Sequence, residues 1–228
     1  MIRSRPDEAP DALTIMNMSD GLLFVYTDPG AIPVADYNDW YDNEHGPARL
    51  GVPGISAGYR FQALDDQAPR WLAYYEIKAG VLDSPEYKAL ATSASAREKS
   101  MMSRLATLDR RVYEPISEDG APGDAPPPVV LAVSMSVPAD REDDVAAWYG
   151  QEHTPMLLAV PGWRRIRRFR LTSGTAPAYL SLHEMASMAV FDEDSYRAAV
   201  GTPWMKRVVA SAIGRERRVF GFHRSFGG

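Results

Sequence analysis

Two histidines carry the clearest chemical signal in the sequence, because each lies in a copy of the same motif. His45 lies in residues 40–47 and His153 in residues 148–155, and both segments read W-Y-x-x-E-H-x-P. The copies are offset by 153 − 45 = 108 residues. Imidazole has an unperturbed pKa of about 6.5 and can take up or release a proton near neutral pH. The motif therefore predicts acid–base chemistry at one or both histidines.

Each histidine also has a structural alternative. A histidine repeated in both halves could serve the fold by capping its helix end against a backbone carbonyl. The helix C-terminus favours the protonated ring, whereas burial favours the neutral ring. Sequence alone leaves both roles open, so differences between the two copies become the next source of information.

The two copies differ in the residues expected around the histidines. At the same offset, Tyr75 corresponds to His183, so the second copy offers two imidazoles. A run of arginines in 164–170 adds positive charge there, although most of them are expected on a solvated strand edge. Phenols or an imidazole can hydrogen-bond an oxyanion that develops on a substrate. The residues predicted for this role are Tyr59, Tyr74, Tyr75 and His183, the three phenols sharing a pocket with His45.

Two carboxylates and several aromatic rings complete the candidate site. Glu76 and Glu184 sit mid-strand among apolar residues, where a carboxylate is costly unless it is paired. We expect each to pair with a histidine across the helix–sheet layer and to orient its ring. The aromatic residues predicted to line the substrate pockets are Trp40, Tyr41, Trp148, Tyr149 and Trp163.

The elements that must position these residues follow the order βαββαβ. In the first copy, apolar β-forming runs bounded by turns predict strands near 21–27, 56–65, 71–77 and 111–113. Helical patterns predict helices over about 33–51 and 84–107. The second copy repeats this order between 129 and 223. Each copy is therefore a ferredoxin-like unit.

The duplication sets the domain boundaries. We predict an N-terminal arm at 1–20, a first repeat at 21–116, a Pro/Gly linker at 117–127 and a second repeat at 128–228. One face of each sheet packs on its own helices, and the other face needs a partner sheet. The predicted fold class is therefore α+β, with two ferredoxin-like repeats that form a pseudo-twofold α/β barrel within one chain.

Composition narrows the function class. The 228 residues carry a formal charge of −5 and contain no cysteine, which excludes thiolate sites and gives no reason to expect nucleic acid. No signal peptide and no membrane span is predicted, so a cytoplasmic protein with a small-molecule substrate is expected. No glycine-rich phosphate loop, G-x-S-x-G elbow or H-E-x-x-H motif occurs. We therefore predict no cofactor and no metal, and leave open whether the barrel forms a homodimer.

The motif, followed by V-P-G and then a strand with Arg-Phe, resembles the EthD-like branch of the dimeric α/β-barrel superfamily over both repeats. The resemblance implies sheets paired into a barrel. Relatives in the superfamily include muconolactone-type isomerases, polyketide cyclases, cofactor-free monooxygenases and, with haem, chlorite dismutase-like and dye-decolourising peroxidases. In the isomerase-like members a helix histidine before a Met-Pro-Gly-type turn transfers protons. His45 and His153 match that position, with Val52 and Val160 in place of the Met.

Together these observations predict a cofactor-independent lyase, isomerase or cyclase. Its substrate would be a small aromatic or polyketide-like carbonyl compound, with His45 or His153 as the acid–base group. Two alternatives remain, namely a haem-dependent oxidoreductase on the same barrel and a non-catalytic protein that binds a hydrophobic metabolite.

Overall fold

The computed structural model describes residues 20–175 and 177–227, so the predicted N-terminal arm lies outside the described residues except for Asp20. Within the described residues, eight antiparallel strands form one closed barrel in the order β1-β3-β2-β8-β5-β7-β6-β4. Pairing of β1 with β4 closes the ring. The predicted α+β barrel is confirmed.

The strands come equally from the two repeats. The first repeat contributes β1 (Gly21–Asp28), β2 (Ile55–Ala63), β3 (Trp71–Ile77) and β4 (Thr107–Gly120). The second contributes β5 (Val129–Ser136), β6 (Trp163–Ser173), β7 (Tyr179–Met185) and β8 (Ile213–Phe226). The last strand of each repeat pairs with the other repeat, β4 with β6 and β8 with β2. These two pairings between the repeats join them into a single sheet.

The helices pack on the outside of the barrel. They are α1 (Val34–Trp40), α2 (Gly46–Leu50), α3 (Pro85–Thr92) and α4 (Ala96–Arg104) in the first repeat, and α5 (Glu142–Trp148), α6 (Thr154–Leu158), α7 (Asp194–Val200) and α8 (Pro203–Ser211) in the second. A π-helical turn, Tyr41–His45, joins α1 to α2, and Tyr149–His153 joins α5 to α6. None of the described helices combines the length and apolar character that crossing a membrane requires.

Strand alternation builds separate cores inside and outside the barrel, because successive side chains point to opposite faces. On β1, Leu22 and Phe24 point inward, and Leu23 and Val25 point toward the helices. The interior core takes large side chains from both repeats, including Leu22, Phe24, Tyr26, Phe61, Leu72, Tyr74, Tyr113, Val130, Phe169, Leu182 and Phe220. Neither repeat can bury its inner face alone.

A buried ion network crosses the barrel lumen and corrects two expectations. Arg167 lies inside the barrel rather than on a solvated strand edge, and its Nη1 lies 2.6 Å from Glu76 Oε1. Its Nη2 lies 3.5 Å from Glu184 Oε1. The two glutamates therefore pair with an arginine and not with the motif histidines. Alternation on β6 and β7 explains this, since Arg167 and Glu184 share the inward face.

Several element boundaries differ from the predicted ones. The long second helix of each repeat is two helices, and Ser95 and Thr202 cap the second of each pair by accepting a backbone N–H through the side-chain oxygen. Strand β4 continues to Gly120, three residues beyond the predicted linker start, because its end pairs with β6 as far as Arg165.

Candidate functional site

The first motif holds a paired histidine. His45 Nδ1 lies 2.9 Å from Glu98 Oε1, and Trp40 Nε1 donates to Glu98 Oε2 at 2.7 Å. The imidazole ring packs 4.7 Å from the ring of Trp40 and 4.6 Å from that of Tyr41. Burial lowers the pKa of His45 to about 4, although the hydrogen bond to Glu98 opposes this shift. At neutral pH the ring is neutral and can donate Nδ1–H to the carboxylate.

The remaining polar groups of this layer also satisfy one another. The hydroxyls of Tyr41 and Tyr75 lie 3.0 Å apart. Arg60 is fully buried, stacks 4.3 Å from the Tyr41 ring centroid and pairs with Asp42 at 2.6 Å. Most of the polar groups around His45 are therefore bonded to protein groups, although Arg60 Nε is buried without a partner.

The second motif opens onto a cavity. His153 and His183 line a space of about 60 Å³ between the motif helix, α7, α8 and the outer face of the sheet. Four ring nitrogens at this cavity are buried and have no hydrogen-bond partner: Trp148 Nε1, His153 Nδ1, Trp163 Nε1 and His183 Nδ1. A buried polar atom without a partner costs about 1–3 kcal/mol. Four such atoms at one cavity indicate a place for a polar ligand or for water.

Both imidazoles at the cavity are neutral at physiological pH. Burial, reinforced by the nearby positive charge of Arg168, lowers the pKa of His153 to about 4. Burial also lowers the pKa of His183 well below its ordinary value of 6.5, with smaller contributions from His153 and Arg217. A neutral imidazole has a free lone pair, so either residue can accept a proton at pH 7.

One substitution between the repeats explains why His153 lacks a partner. Glu98 is the third residue after the helix cap Ser95, and Met205 is the third residue after the cap Thr202. Met205 therefore occupies the position of Glu98, and its thioether lines the cavity. A thioether is at best a weak hydrogen-bond acceptor. Consequently both His153 and Trp148 lack the carboxylate that holds their first-repeat counterparts.

A second difference leaves extra positive charge near the cavity. At the motif offset, Asp42 corresponds to Gly150 and Arg60 to Arg168. Arg168 lies 3.9 Å over the ring of Tyr149 but makes no ion pair with a described residue. The second repeat thus keeps the stacked arginine and loses its counter-charge.

The predicted site residues fall into three places. The first helix–sheet layer brings together Trp40, Tyr41, His45 and Tyr75, and the cavity of the second repeat brings together Trp148, Tyr149, His153, Trp163 and His183. Tyr59, Tyr74, Glu76 and Glu184 lie with the barrel interior. The expected phenol-rich pocket around His45 is therefore wrong, because Tyr74 and Tyr75 are neighbours on β3 and point to opposite faces.

Sequence reasoning missed five residues that shape the two layers: Glu98, Tyr196, Met205, Arg215 and Arg217. The signal for Glu98 and Met205 was the helix cap before each. The caps are offset by 202 − 95 = 107 residues, one fewer than the motifs, so a gapless alignment places Lys206 rather than Met205 opposite Glu98. The other three face the cavity from α7 and β8, and no motif marks them.

The residues at the cavity do not fit a haem. His153 and His183 are suitable ligand types, but a space of about 60 Å³ is well below the roughly 300–1,000 Å³ of pockets that enclose drug-sized ligands. Across residues 20–175 and 177–227, no group of three His, Cys, Asp or Glu side chains is placed to hold a metal ion.

Comparisons with solved structures place this architecture among known folds. The chain superposes on an anthrone oxidase-like protein with a TM-score of 0.65 and 13% identity, covering 90% of this chain and 92% of the other. It also shares its fold with two further proteins. These are a candidate monooxygenase from Lactobacillus acidophilus (TM-score 0.56, 11% identity, 91% and 96% covered) and a candidate chlorite dismutase (TM-score 0.56, 14% identity, 91% and 96% covered).

This chain is a tandem-repeat α/β barrel. At such low identities the likeness concerns the fold, since one fold can carry many activities. No protein-family model and no curated protein matches the sequence. The assignment of chemistry therefore depends on the cavity in the second repeat.

Proposed function

We propose that the protein is an acid–base enzyme that removes a proton next to a carbonyl group in a small organic substrate, using His153 in the second repeat. His183 shares the cavity and is the second candidate base or oxyanion donor. The observation that supports this most directly is the set of four unpartnered ring nitrogens around one cavity. The first-repeat counterparts of His153, Trp148 and His183 are bonded to Glu98 or to Tyr41, which supports a structural role for His45. Ile55 stands opposite Trp163.

The proposed step moves one proton and one electron pair. The carbon–hydrogen bond beside the carbonyl breaks, the proton passes to the Nδ1 of His153, and the electron pair shifts to the carbonyl oxygen. The indole N–H of Trp148 or Trp163 donates to the resulting enolate oxygen. Both indoles are buried and unpartnered, and donors placed in advance stabilise such charge strongly in a dry site.

The protonated His153 then returns its proton. Return to a different carbon gives isomerisation, and return to a departing group gives a lyase reaction. Attack of the enolate carbon on a second carbonyl, followed by return of the proton to the new alkoxide, gives cyclisation. Because burial favours the neutral ring, proton transfer from the imidazolium back to the substrate is favourable in this cavity.

The size and lining of the cavity guide the substrate class. A space of about 60 Å³ accepts the reactive end of a small carbonyl compound, whose remaining atoms extend toward the exposed Arg215 and Arg217. A larger aromatic substrate requires side chains such as Met205 to move. The similarity to an anthrone oxidase-like protein and the EthD-like motif support an aromatic carbonyl compound of this kind.

Deuterium exchange tests the proposal without knowledge of the final product. The protein is incubated in D2O with a panel of small ketones, β-ketoesters and anthrone-type compounds, and loss of the α-hydrogen signal is followed by proton NMR. Loss of a general base typically lowers the rate about 100- to 10,000-fold. We expect His153→Gln to slow exchange at least about 100-fold and the matched His45→Gln to keep the wild-type rate, with both variants folded by circular dichroism.

Two results would redirect the assignment. Exchange at the wild-type rate in His153→Gln contradicts the proposed base. Saturable binding of a panel compound without any exchange in the wild type favours the alternative of a non-catalytic protein that binds a small metabolite.

A further inference from the structure

The end of the barrel beside the β2–β3 turn contains a second cavity, which shares Arg215 and Arg217 with the cavity of His153. It has a volume of about 360 Å³, which lies within the usual range of small-molecule sites. It is lined by Tyr26, Gln67, Ala68, Pro69, Asp109, Arg111, Arg215, Glu216, Arg217 and Arg218. These residues come from β1, the β2–β3 turn, β4 and β8.

Tyr26 supplies an unpartnered polar group in this cavity. Its side chain is 3% exposed, and its hydroxyl is buried without a hydrogen-bond partner. The ring stacks on Phe220, with 5.7 Å between the ring centroids, and packs edge-to-face against Phe24, with 4.8 Å between the centroids. The cavity therefore offers one hydroxyl group that no atom of the described residues satisfies.

The charges of the cavity favour an anion. Arg111 is bonded to Asp109 and Glu216, and Arg218 is bonded to Asp65, so these charges compensate each other. Four arginines and three carboxylates meet here, which leaves an excess of one positive charge. Arg215 is exposed and forms no hydrogen bond or ion pair with any residue in the described part of the chain.

The ion pairs also make the cavity a preformed one. Arg111 on β4 reaches Glu216 on β8 at 2.6 Å, and these strands lie opposite each other in the barrel order. Arg218 additionally donates to the backbone carbonyls of Gln67 and Pro69 at 2.8 and 2.9 Å, which holds the turn against the barrel. A ligand would therefore meet a wall fixed by Arg111 and Arg218, and Arg215 is the side chain that it would order on binding.

We propose that this barrel end binds a small oxyanion, a carboxylate or inorganic phosphate, through the Tyr26 hydroxyl and the guanidinium of Arg215. The hydroxyl donates to one anion oxygen, and the guanidinium neutralises the charge and contributes further N–H donors. Arginine is well suited to this because its planar fork matches carboxylate and phosphate oxygens. The site shares Arg215 and Arg217 with the cavity of His153, but its hydroxyl donor, Tyr26, belongs to the barrel interior.

Isothermal titration calorimetry of the full chain tests this inference. The probes are acetate, succinate and inorganic phosphate, each titrated at constant ionic strength set with sodium chloride. We expect at least one probe to bind saturably at one site per chain. A hydrogen bond to a charged group contributes about 1.5–3 kcal/mol, so Tyr26→Phe should weaken binding at least tenfold. Arg215→Gln should also weaken it and reduce its salt dependence.

Two control variants locate the bound anion. Tyr87→Phe removes a phenol hydroxyl from the first-repeat surface, and His153→Gln alters the other cavity, which shares Arg215 and Arg217 with this one. Both should bind the probe as the wild type does. Tyr26→Phe should remain folded, because it removes only an unpartnered hydroxyl. The inference fails when none of the three probes binds saturably, when Tyr26→Phe binds with wild-type affinity, or when His153→Gln abolishes binding.

Discussion

Glu98 determines the state of the first motif. One carboxylate oxygen lies 2.9 Å from His45 and the other accepts from Trp40 at 2.7 Å, so a single side chain satisfies two buried nitrogens. In the second repeat Met205 stands at this position and leaves His153 and Trp148 open to the cavity. The difference between Glu98 and Met205 therefore accounts for a paired His45 and a His153 whose Nδ1 has no partner among the described residues.

Replacement of Glu98 tests its structural role. Glu98→Met should lower the free energy of unfolding by about 2–4 kcal/mol, because it leaves two buried nitrogens without a partner. Glu98→Gln is the matched control, since it keeps polar atoms at both positions and should cost about half as much. Urea unfolding at pH 7.5 measures both values. Equal stabilities of Glu98→Met and the wild type would contradict the role given to Glu98.

Because His45 and His153 are buried in the neutral form, we expect the free energy of unfolding to fall on mild acidification. The pKa of His45 and of His153 is lowered from 6.5 to about 4, so between these values the unfolded chain takes up protons that the folded chain does not. The contribution of each neutral histidine to the free energy of unfolding is therefore fully present above pH 6.5. It is lost as the pH drops toward 4, by up to about 1.4 kcal/mol per pH unit for each histidine. The carboxylates with lowered pKa, such as Glu98, add their loss mainly at lower pH.

A histidine variant isolates this contribution. His153→Leu should reduce the slope of unfolding free energy against pH between 5 and 6 by about 1.4 kcal/mol per pH unit. Urea unfolding at pH 5.0, 5.5, 6.0 and 7.5 provides the comparison with the wild type. An unchanged slope would show that His153 is protonated in the folded state at these pH values.

At the residue scale, the sequence predicted the candidate histidines but not their partners. His153, His183, Trp148 and Trp163 were foreseeable because the duplicated motif and its asymmetry mark them. Glu98 was not, since its pairing with His45 joins residues 53 positions apart and the second helices are offset differently from the motifs. The pairing of Glu76 with Arg167 across the lumen likewise depends on the closed barrel.

At the scale of elements, the same feature positions the histidine in both repeats. A π-helical turn ends at His45 and another at His153. Such turns are rare and occur frequently at functional sites. The helix that follows in space, α4 or α8, begins at a hydroxyl cap that places Glu98 or Met205 beside the histidine. Turn and cap together set the geometry of each layer.

The cap of α8 should matter for stability. Thr202 Oγ1 accepts the backbone N–H of Met205 at 3.0 Å and also contacts Glu152 at 2.6 Å. Thr202→Ala should cost about 0.5–2 kcal/mol, whereas Thr202→Ser keeps the hydroxyl and should cost little. Thermal unfolding of the two variants measures the difference. Identical melting temperatures would mean that the cap does not hold α8.

Periodicity predicted the existence and order of the elements, and distant pairing determined their lengths. The helix pattern of 84–107 hid a break at Ser93 to Ser95, where a new cap begins. Strand β4 is much longer than the predicted core 111–113, because β6 of the other repeat supplies hydrogen-bond partners as far as Gly120. The length of β4 could not be predicted from its local sequence, because its partner strand lies in the other repeat.

At the scale of the whole molecule, the two repeats form one folding unit. Strands β4 and β8 each pair with a strand of the other repeat, and the two repeats share the interior core. We therefore expect that neither half is stable without the other. Urea unfolding followed by tryptophan fluorescence and by far-ultraviolet circular dichroism should give one coincident transition. Two separated transitions would show that the repeats unfold independently.

We infer that the cavity of the second repeat, rather than the first-repeat layer, receives the ligand. Nitrogen-15 NMR of the five tryptophan indoles, assigned by Trp→Phe variants, tests it while a panel of small carbonyl compounds is titrated. We expect a binding compound to shift the indole signals of Trp148 and Trp163 and to leave that of Trp40 in place. This effect should be lost in Met205→Glu. A ligand that shifts the Trp40 signal instead, or that binds Met205→Glu as well as the wild type, would contradict it.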